Sequence, residues 1–221
     1  MDQVIAPPIE AYLDRLHAPV DALLESIEQD GRARGLPLVH PASARLLRTL
    51  VIATGARRIL EIGTAIGYSA IWMAQAQPAG GLLISLEKDA SRAAVARAHI
   101  ERAGLADRIS VVVGDASRYL HKVAGPFDLV FQDSDKHLYE PMLARCVELL
   151  RPGGLLVCDN VLWSGEVVEG FRETPRRGAA EAAALRAYNA RLAAERQLLT
   201  TFLAVGDGLS ISVRVDGGGS A

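Results

Sequence analysis

The stretch FDLVFQDSDKHLY places Asp133, Asp135 and Lys136 where an apolar run ends, and LLVCDNVLWSG ends another such run in Asp159 and Asn160. Carboxylate and amide oxygens without His or Cys suit a hard cation such as Mg²⁺, which leaves coordination positions for water or substrate. An Asp-Asn pair alone also starts ordinary turns, so the metal reading needs Asp133 to reach the same rim. Lys136 opens a predicted helix, where the dipole disfavours a cation. A divalent neighbour would favour its free amine and make it a general base. His137 is the alternative base. Trp163 and Trp72 read as packing residues, although Trp163 follows the proposed ligands closely enough to wall an aromatic substrate.

Two more apolar runs end in groups that bind rather than react. LEIGTAIGYSA turns through Gly63 and Gly67 into a helix, which permits close backbone approach and exposes amides. The turn lacks the third glycine of GxGxxG and carries no basic residue, which argues against a pyrophosphate. Glu61 would be explained by an amine partner. The ligand this combination calls for is an amino acid joined to a nucleoside. In LISLEKD, Glu87 can accept both hydroxyls of a ribose, while Asp89 serves the following helix. In VVVGDAS, Asp115 reads as a helix cap or a ligand contact, and Ala116 offers an amide to an adenine.

The elements that must hold these residues alternate from Arg57 onward. Strands are expected at Arg58–Ile62, Leu82–Leu86, Ile109–Val113, Phe127–Phe131 and Gly154–Cys158, with helices at Tyr68–Gln75, Ala90–Ala103, Ser117–Val123 and Leu138–Leu150. Short apolar strands alternating with helices predict a doubly wound α/β fold with a mostly parallel sheet. A helix over Ala179–Ala194 and the segment LLTTFLAVGDGLSISVRV follow, the latter an antiparallel hairpin through a Gly-Asp-Gly turn. The whole reads as one domain: N-terminal helices over 1–55, an α/β core over 56–215 and a flexible tail over 216–221. The N-terminal helices, one of them Pro41–Thr54, either cap the site or make a subunit contact.

Composition excludes several classes. A formal charge of −2 over 221 residues gives no reason to expect strong non-specific nucleic-acid or membrane binding. No stretch approaches the roughly 18 apolar residues of a membrane span, and the N-terminus lacks a secretory pattern. Cys146 and Cys158 form no CxxC pair and read as buried reduced thiols, so a cytoplasmic location is expected.

Taken together, LEIGTAIGYSA, LEKD, VVVGDA, FDLVFQDSDKHLY and LLRPGGLLVCDNVLWSG resemble the cation-dependent O-methyltransferases of the caffeoyl-CoA and catechol type, in their bacterial branch. The resemblance implies a Rossmann-like methyltransferase fold with seven strands, S-adenosyl-L-methionine as cofactor and a homodimer. It implies that Asp133, Asp159 and Asn160 hold the cation, with Lys136 as base and Asp133 also among the catalytic and cofactor-contacting residues. Glu61, Gly63, Thr64 and Ser69 would take the methionine part, Glu87 the ribose, Ala116 and Asp135 the remainder, and Val39 a further contact. Trp163 and Ser164 fall at substrate positions, but Ser164 replaces an Asn common in the plant enzymes, so their substrates do not carry over. DSDK replaces the usual DADK, Glu87 the commoner Asp, and Gln132 an apolar residue. The expected acceptor is a small phenol with adjacent hydroxyls. The alternative is 5-hydroxyuridine in tRNA, with Arg176 and Arg177 of TPRRG in its favour. A non-catalytic cofactor-binding protein is the remaining rival.

Overall fold

Alternate residues of each central strand are apolar on both faces, so neither face of the sheet is stable in water until helices cover it. The structure, a computed structural model, describes residues 5–17, 20–171 and 177–215; the expected tail and Arg176 lie outside them. Strands β1 (Arg58–Ile62), β2 (Leu82–Glu87), β3 (Ile109–Val113), β4 (Phe127–Gln132) and β5 (Leu150–Asp159) run parallel, and β6 (Leu198–Leu203) and β7 (Leu209–Arg214) run antiparallel. Their spatial order is β3-β2-β1-β4-β5-β7-β6. One face, with Ile59, Leu129, Phe131 and Val157, packs on helices α2 (Ala22–Ala33), α3 (Pro41–Thr54), α4 (Tyr68–Ala76) and α5 (Ala90–Arg102). The other, with Leu60, Ile62, Val130 and Leu156, packs on α7 (Tyr139–Leu149) and α8 (Ala179–Ala193). Each such buried Leu, Ile or Phe contributes about 1.5–3 kcal/mol.

Strand order reverses at β1, whose neighbours are β2 and β4. The carboxyl ends of β1 and β4 therefore open the crevice where doubly wound sheets bind ligands. The C-terminal hairpin adds something the alternation does not announce: β7 docks on β5, with Leu209 opposite Asp159. Because that pairing is antiparallel, the β6–β7 turn lands at the carboxyl end of β5, on the same rim as Asp159.

Two elements differ from expectation. Helix α6 spans Ala116–Tyr119, shorter than the predicted Ser117–Val123. Lys122 N–H closes a turn on the Tyr119 carbonyl (2.8 Å), and Pro126 ahead offers no donor to extend a helix. Strand β5 begins at Leu150, opposite Phe127, and slips register before Leu155 meets Leu129. Pro152-Gly153-Gly154 forms that irregularity, which hides the early strand from pattern reading. At the N-terminus, α2 and α3 bury Leu24, Ile27, Leu47 and Val51 in the core. Helix α1 (Pro7–Leu16) buries no side chain and exposes Ile9, Tyr12, Leu13 and Leu16. Among the described residues no helix is long and apolar enough to cross a membrane. Cys146 and Cys158 are free and buried, and burial pushes both thiols up.

Candidate active site

The turn after β1 and the end of β4 close on each other. A Cβ at Gly63 (φ 95°) would lie 2.1 Å from the Asp133 carbonyl oxygen, so only glycine lets the two strand ends meet. Glu61, fully buried, accepts hydrogen bonds from Ser69 Oγ (2.6 Å) and from the hydroxyls of Thr64 and Ser85. Burial pushes its carboxyl up to about 7, with the Ser69, Ser85 and Thr64 hydroxyls opposing the shift. Glu87 accepts from the amides of Ala65 (2.8 Å) and Asp89 (2.9 Å), so it braces the same turn. Asp89 and Asp115 accept from the first amides of α5 and α6 and are helix caps. Asp135 forms an ion pair with Lys88.

The oxygen-bearing side chains expected at the rim meet around Lys136. Lys136, itself buried, donates from Nζ to Asn160 Oδ1 (2.5 Å), Tyr139 Oη (2.9 Å) and Asp133 Oδ1 (3.1 Å). Tyr139 in turn donates to the Asp159 carbonyl oxygen (3.0 Å). Asp159 Oδ1 is buried without a hydrogen-bond partner. Burial first, then the charge of Asp133, holds the Asp159 carboxyl well above the usual carboxylate range. Two carboxylates and an amide around a positive centre, one oxygen left unpaired, fit a hard divalent cation. Among the described residues no cluster of three or more His, Cys, Asp or Glu is arranged for a metal; the amide of Asn160 makes up this set.

The loop after β5 is strained. Asn160 (φ 60°), Trp163 (φ 47°) and Ser164 (φ 57°) all adopt left-handed backbone, at about 1–3 kcal/mol each for ordinary residues, with Asn the most tolerant. The β6–β7 turn over-determines this geometry. Val161 N–H bonds the Gly208 carbonyl (3.1 Å) and Leu162 N–H the Asp207 carbonyl (3.2 Å). A Cβ at Gly208 (φ 88°) would strike the Leu162 amide at 2.6 Å. The Trp163 ring lies 5.7 Å from Lys136 Nζ and 4.4 Å from the Arg177 guanidinium.

The sequence profile of the O-methyltransferase family matches residues 21–215. A catechol O-methyltransferase of Niastella koreensis is 38% identical over 211 residues, 92% of either chain. An O-methyltransferase from Bacillus cereus in complex with SAH superimposes with a TM-score of 0.81 at 34% identity, covering 94% of this chain and 97% of that one. TomG of Streptomyces achromogenes, an O-methyltransferase of tomaymycin synthesis in complex with SAM, gives a TM-score of 0.83 at 30% identity, covering 98% and 100%. The chain belongs to the O-methyltransferase family.

In this O-methyltransferase the structure brings Asp133, Lys136 and Asn160 into direct contact, with Asp159 adjoining. Glu61, Thr64 and Ser69 form a second cluster at the turn after β1. Ala116 opens α6, and Val39 is buried in the core. Ser164 is fully buried, with its amide and hydroxyl on Asp207. His137 is exposed, and Trp72 is packed in the core beside Arg45 and Arg48. Gln132, unexplained from sequence, is buried with Nε2 on Ser134 Oγ (3.3 Å) and Oε1 without a partner; we have no physical account of it. Sequence reasoning missed Ser85, Tyr139 and Asp207. Ser85 lies opposite Glu61 in the β1–β2 register, a cross-strand pairing that the order of residues along the chain does not display.

Glu61 sets a measurable pH signature. Its unfolded value is about 4.3, so between there and about 7 the native state holds the extra proton. The stability this protonation contributes is fully present below the lower value and is lost as pH rises through the upper one. Glu61→Gln is therefore expected to gain stability over the parent as pH rises from 5 to 8, by up to about 3 kcal/mol. Thermal denaturation of both proteins without cofactor across that range measures it. A constant difference would exclude the buried carboxyl as the source.

Proposed function

We propose that the protein transfers a methyl group from S-adenosyl-L-methionine, with a divalent cation, to a hydroxyl of a small catechol-like acceptor. The observation that carries the reading is the convergence of Asp133 and Asn160 oxygens on Lys136, beside the unpaired oxygen of Asp159. The SAM and SAH in the two related structures and the catechol activity named for the Niastella relative support cofactor and acceptor class. When bound, the cofactor supplies an electrophilic methyl on its sulfonium, and a cation held by Asp133, Asp159 and Asn160 supplies Lewis-acid stabilisation of the acceptor oxygen.

The chain's own residues do the rest. Glu61, holding Thr64 and Ser69 by their hydroxyls, shapes the turn that receives the methionine part, and Glu87 offers its free lone pairs to the ribose hydroxyls. Ala116 and Asp135 flank the remainder. Lys136, acting as the free amine, takes the acceptor's proton at Nζ, and the Tyr139 hydroxyl, 2.9 Å away, keeps that amine in place. Trp163 walls the ring of the acceptor. Alignment of oxygen, methyl and sulfur in the crevice supplies the orientation that makes the displacement fast. The proposal includes a homodimer, for which α1 offers an uncovered apolar face in Ile9, Tyr12, Leu13 and Leu16.

The test is methyl transfer from labelled cofactor to a catechol panel and to hydroxyuridine-containing tRNA, with Mg²⁺ and with EDTA. Transfer to catechols is expected, falling to background in EDTA and returning with Mg²⁺. Near-normal turnover in EDTA would overturn the cation's role. Transfer to tRNA alone would replace the acceptor, and cofactor binding without any transfer would leave a binding protein.

A further inference from the structure

The Gly-Asp-Gly turn reads in the sequence as hairpin geometry, yet its aspartate is buried, at 8% exposure, on the cation rim. We propose that Asp207 is a positioning residue that aims the Asn160 oxygen at the cation site and holds the Trp163 loop against it. This inference rests on the cation reading above.

The two carboxylate oxygens divide the work. Oδ1 accepts the Ser164 amide and the Ser164 hydroxyl (2.9 Å), which ties down the left-handed residues that carry Trp163. Oδ2 faces Asn160 Nδ2 (3.4 Å) and Arg177 Nη2 (3.3 Å). A carboxylate only accepts, whereas an amide side chain has a donor end and an acceptor end. Asp207 therefore selects the donor end of Asn160 for itself and turns Oδ1 toward Lys136, 2.5 Å away. Arg177 balances the charge of Asp207 while lying over Trp163, so one turn residue connects the cation's amide ligand, the aromatic wall and a guanidinium. The antiparallel docking of β7 on β5 brings the turn there, and the Gly208 contact with Leu162 requires its close fit.

The partition suggests a variant that separates positioning from folding. Asp207→Asn keeps an acceptor for Ser164 but sets a donor against Asn160 and Arg177. Calorimetric titration with Mg²⁺ is expected to show affinity about 10–100-fold weaker than in the parent, the range for groups that orient metal ligands. Melting temperature and S-adenosylhomocysteine affinity should stay near parental values. In turnover, the effect should appear mainly as a raised KM for Mg²⁺, with much of kcat recovered at saturation. Asp207→Glu, which keeps the charge but displaces it, should show the same loss of Mg²⁺ affinity. A folded variant of either kind that binds Mg²⁺ like the parent overturns the inference, as does failure of both to fold, which makes the turn a folding element. A parent that takes up no Mg²⁺ overturns the cation reading itself and this inference with it.

Discussion

Lys136→Ala is expected to lower kcat about 10²–10⁴-fold, the range for loss of a positioned general base, with cofactor affinity little changed. Two roles compete for this lysine. Its Nζ touches Asp133 and Asn160 and lies within a buried carboxylate field, so its charge alone could explain its place. Lys136→Arg separates the two, because a guanidinium keeps the charge but does not give up its proton in proteins. Single-turnover methyl transfer at saturating acceptor and Mg²⁺ should find the Arg variant about as slow as the Ala variant. An Arg variant near parental rate would make Lys136 an electrostatic group and move the base elsewhere. Burial argues for the base: an exposed helix lysine is the ordinary case, but this one is 8% exposed and has the Tyr139 hydroxyl at 2.9 Å.

What the sequence disclosed depended on whether a residue's partner lay along the chain or across the sheet. The parallel core was readable because apolar runs such as Arg58–Ile62 and Ile109–Val113 begin and end where the strands do. Asp133 and Asp159 were readable because each ends such a run, and β4 and β5 are neighbours. Asp89 and Asp115 were readable as caps because a cap bonds amides two or three residues on. Ser85 was hidden because its reason is Glu61, on the next strand. Asp207 was hidden for a related reason: its partners Asn160, Ser164 and Arg177 meet it only after β7 pairs antiparallel with β5. Local pattern cannot report which strand a terminal hairpin joins. The resemblance supplied roles for Thr64 and Ser69, whose hydroxyls are spent on Glu61 in the structure.

Asp159 should show opposite effects on activity and on stability. Asp159→Ala is expected to cut turnover about 10³-fold, since Lewis-acid stabilisation is worth several kcal/mol and each 1.4 kcal/mol is tenfold. Yet Asp159 is not placed for the stability of the free chain. It is 2% exposed, one oxygen meets no donor, and burial with the charge of Asp133 holds its carboxyl well above the usual range. So near neutral pH the free chain folds at the cost of protonating or desolvating this group, about 1–3 kcal/mol or more. Asp159→Asn, which keeps the shape and has no carboxyl to protonate on folding, should therefore melt at or above the parental temperature without cation. Adding Mg²⁺ should raise the parental midpoint, because a ligand that binds only the native state stabilises it by mass action. The same addition should raise the variant's midpoint far less, so the two melting curves converge or cross as Mg²⁺ increases. Parallel curves at all concentrations, together with retained turnover in Asp159→Ala, would remove Asp159 from the cation site. Crossing curves would show that the rim is built for binding at the expense of the empty fold, since this carboxylate costs stability until a cation meets it.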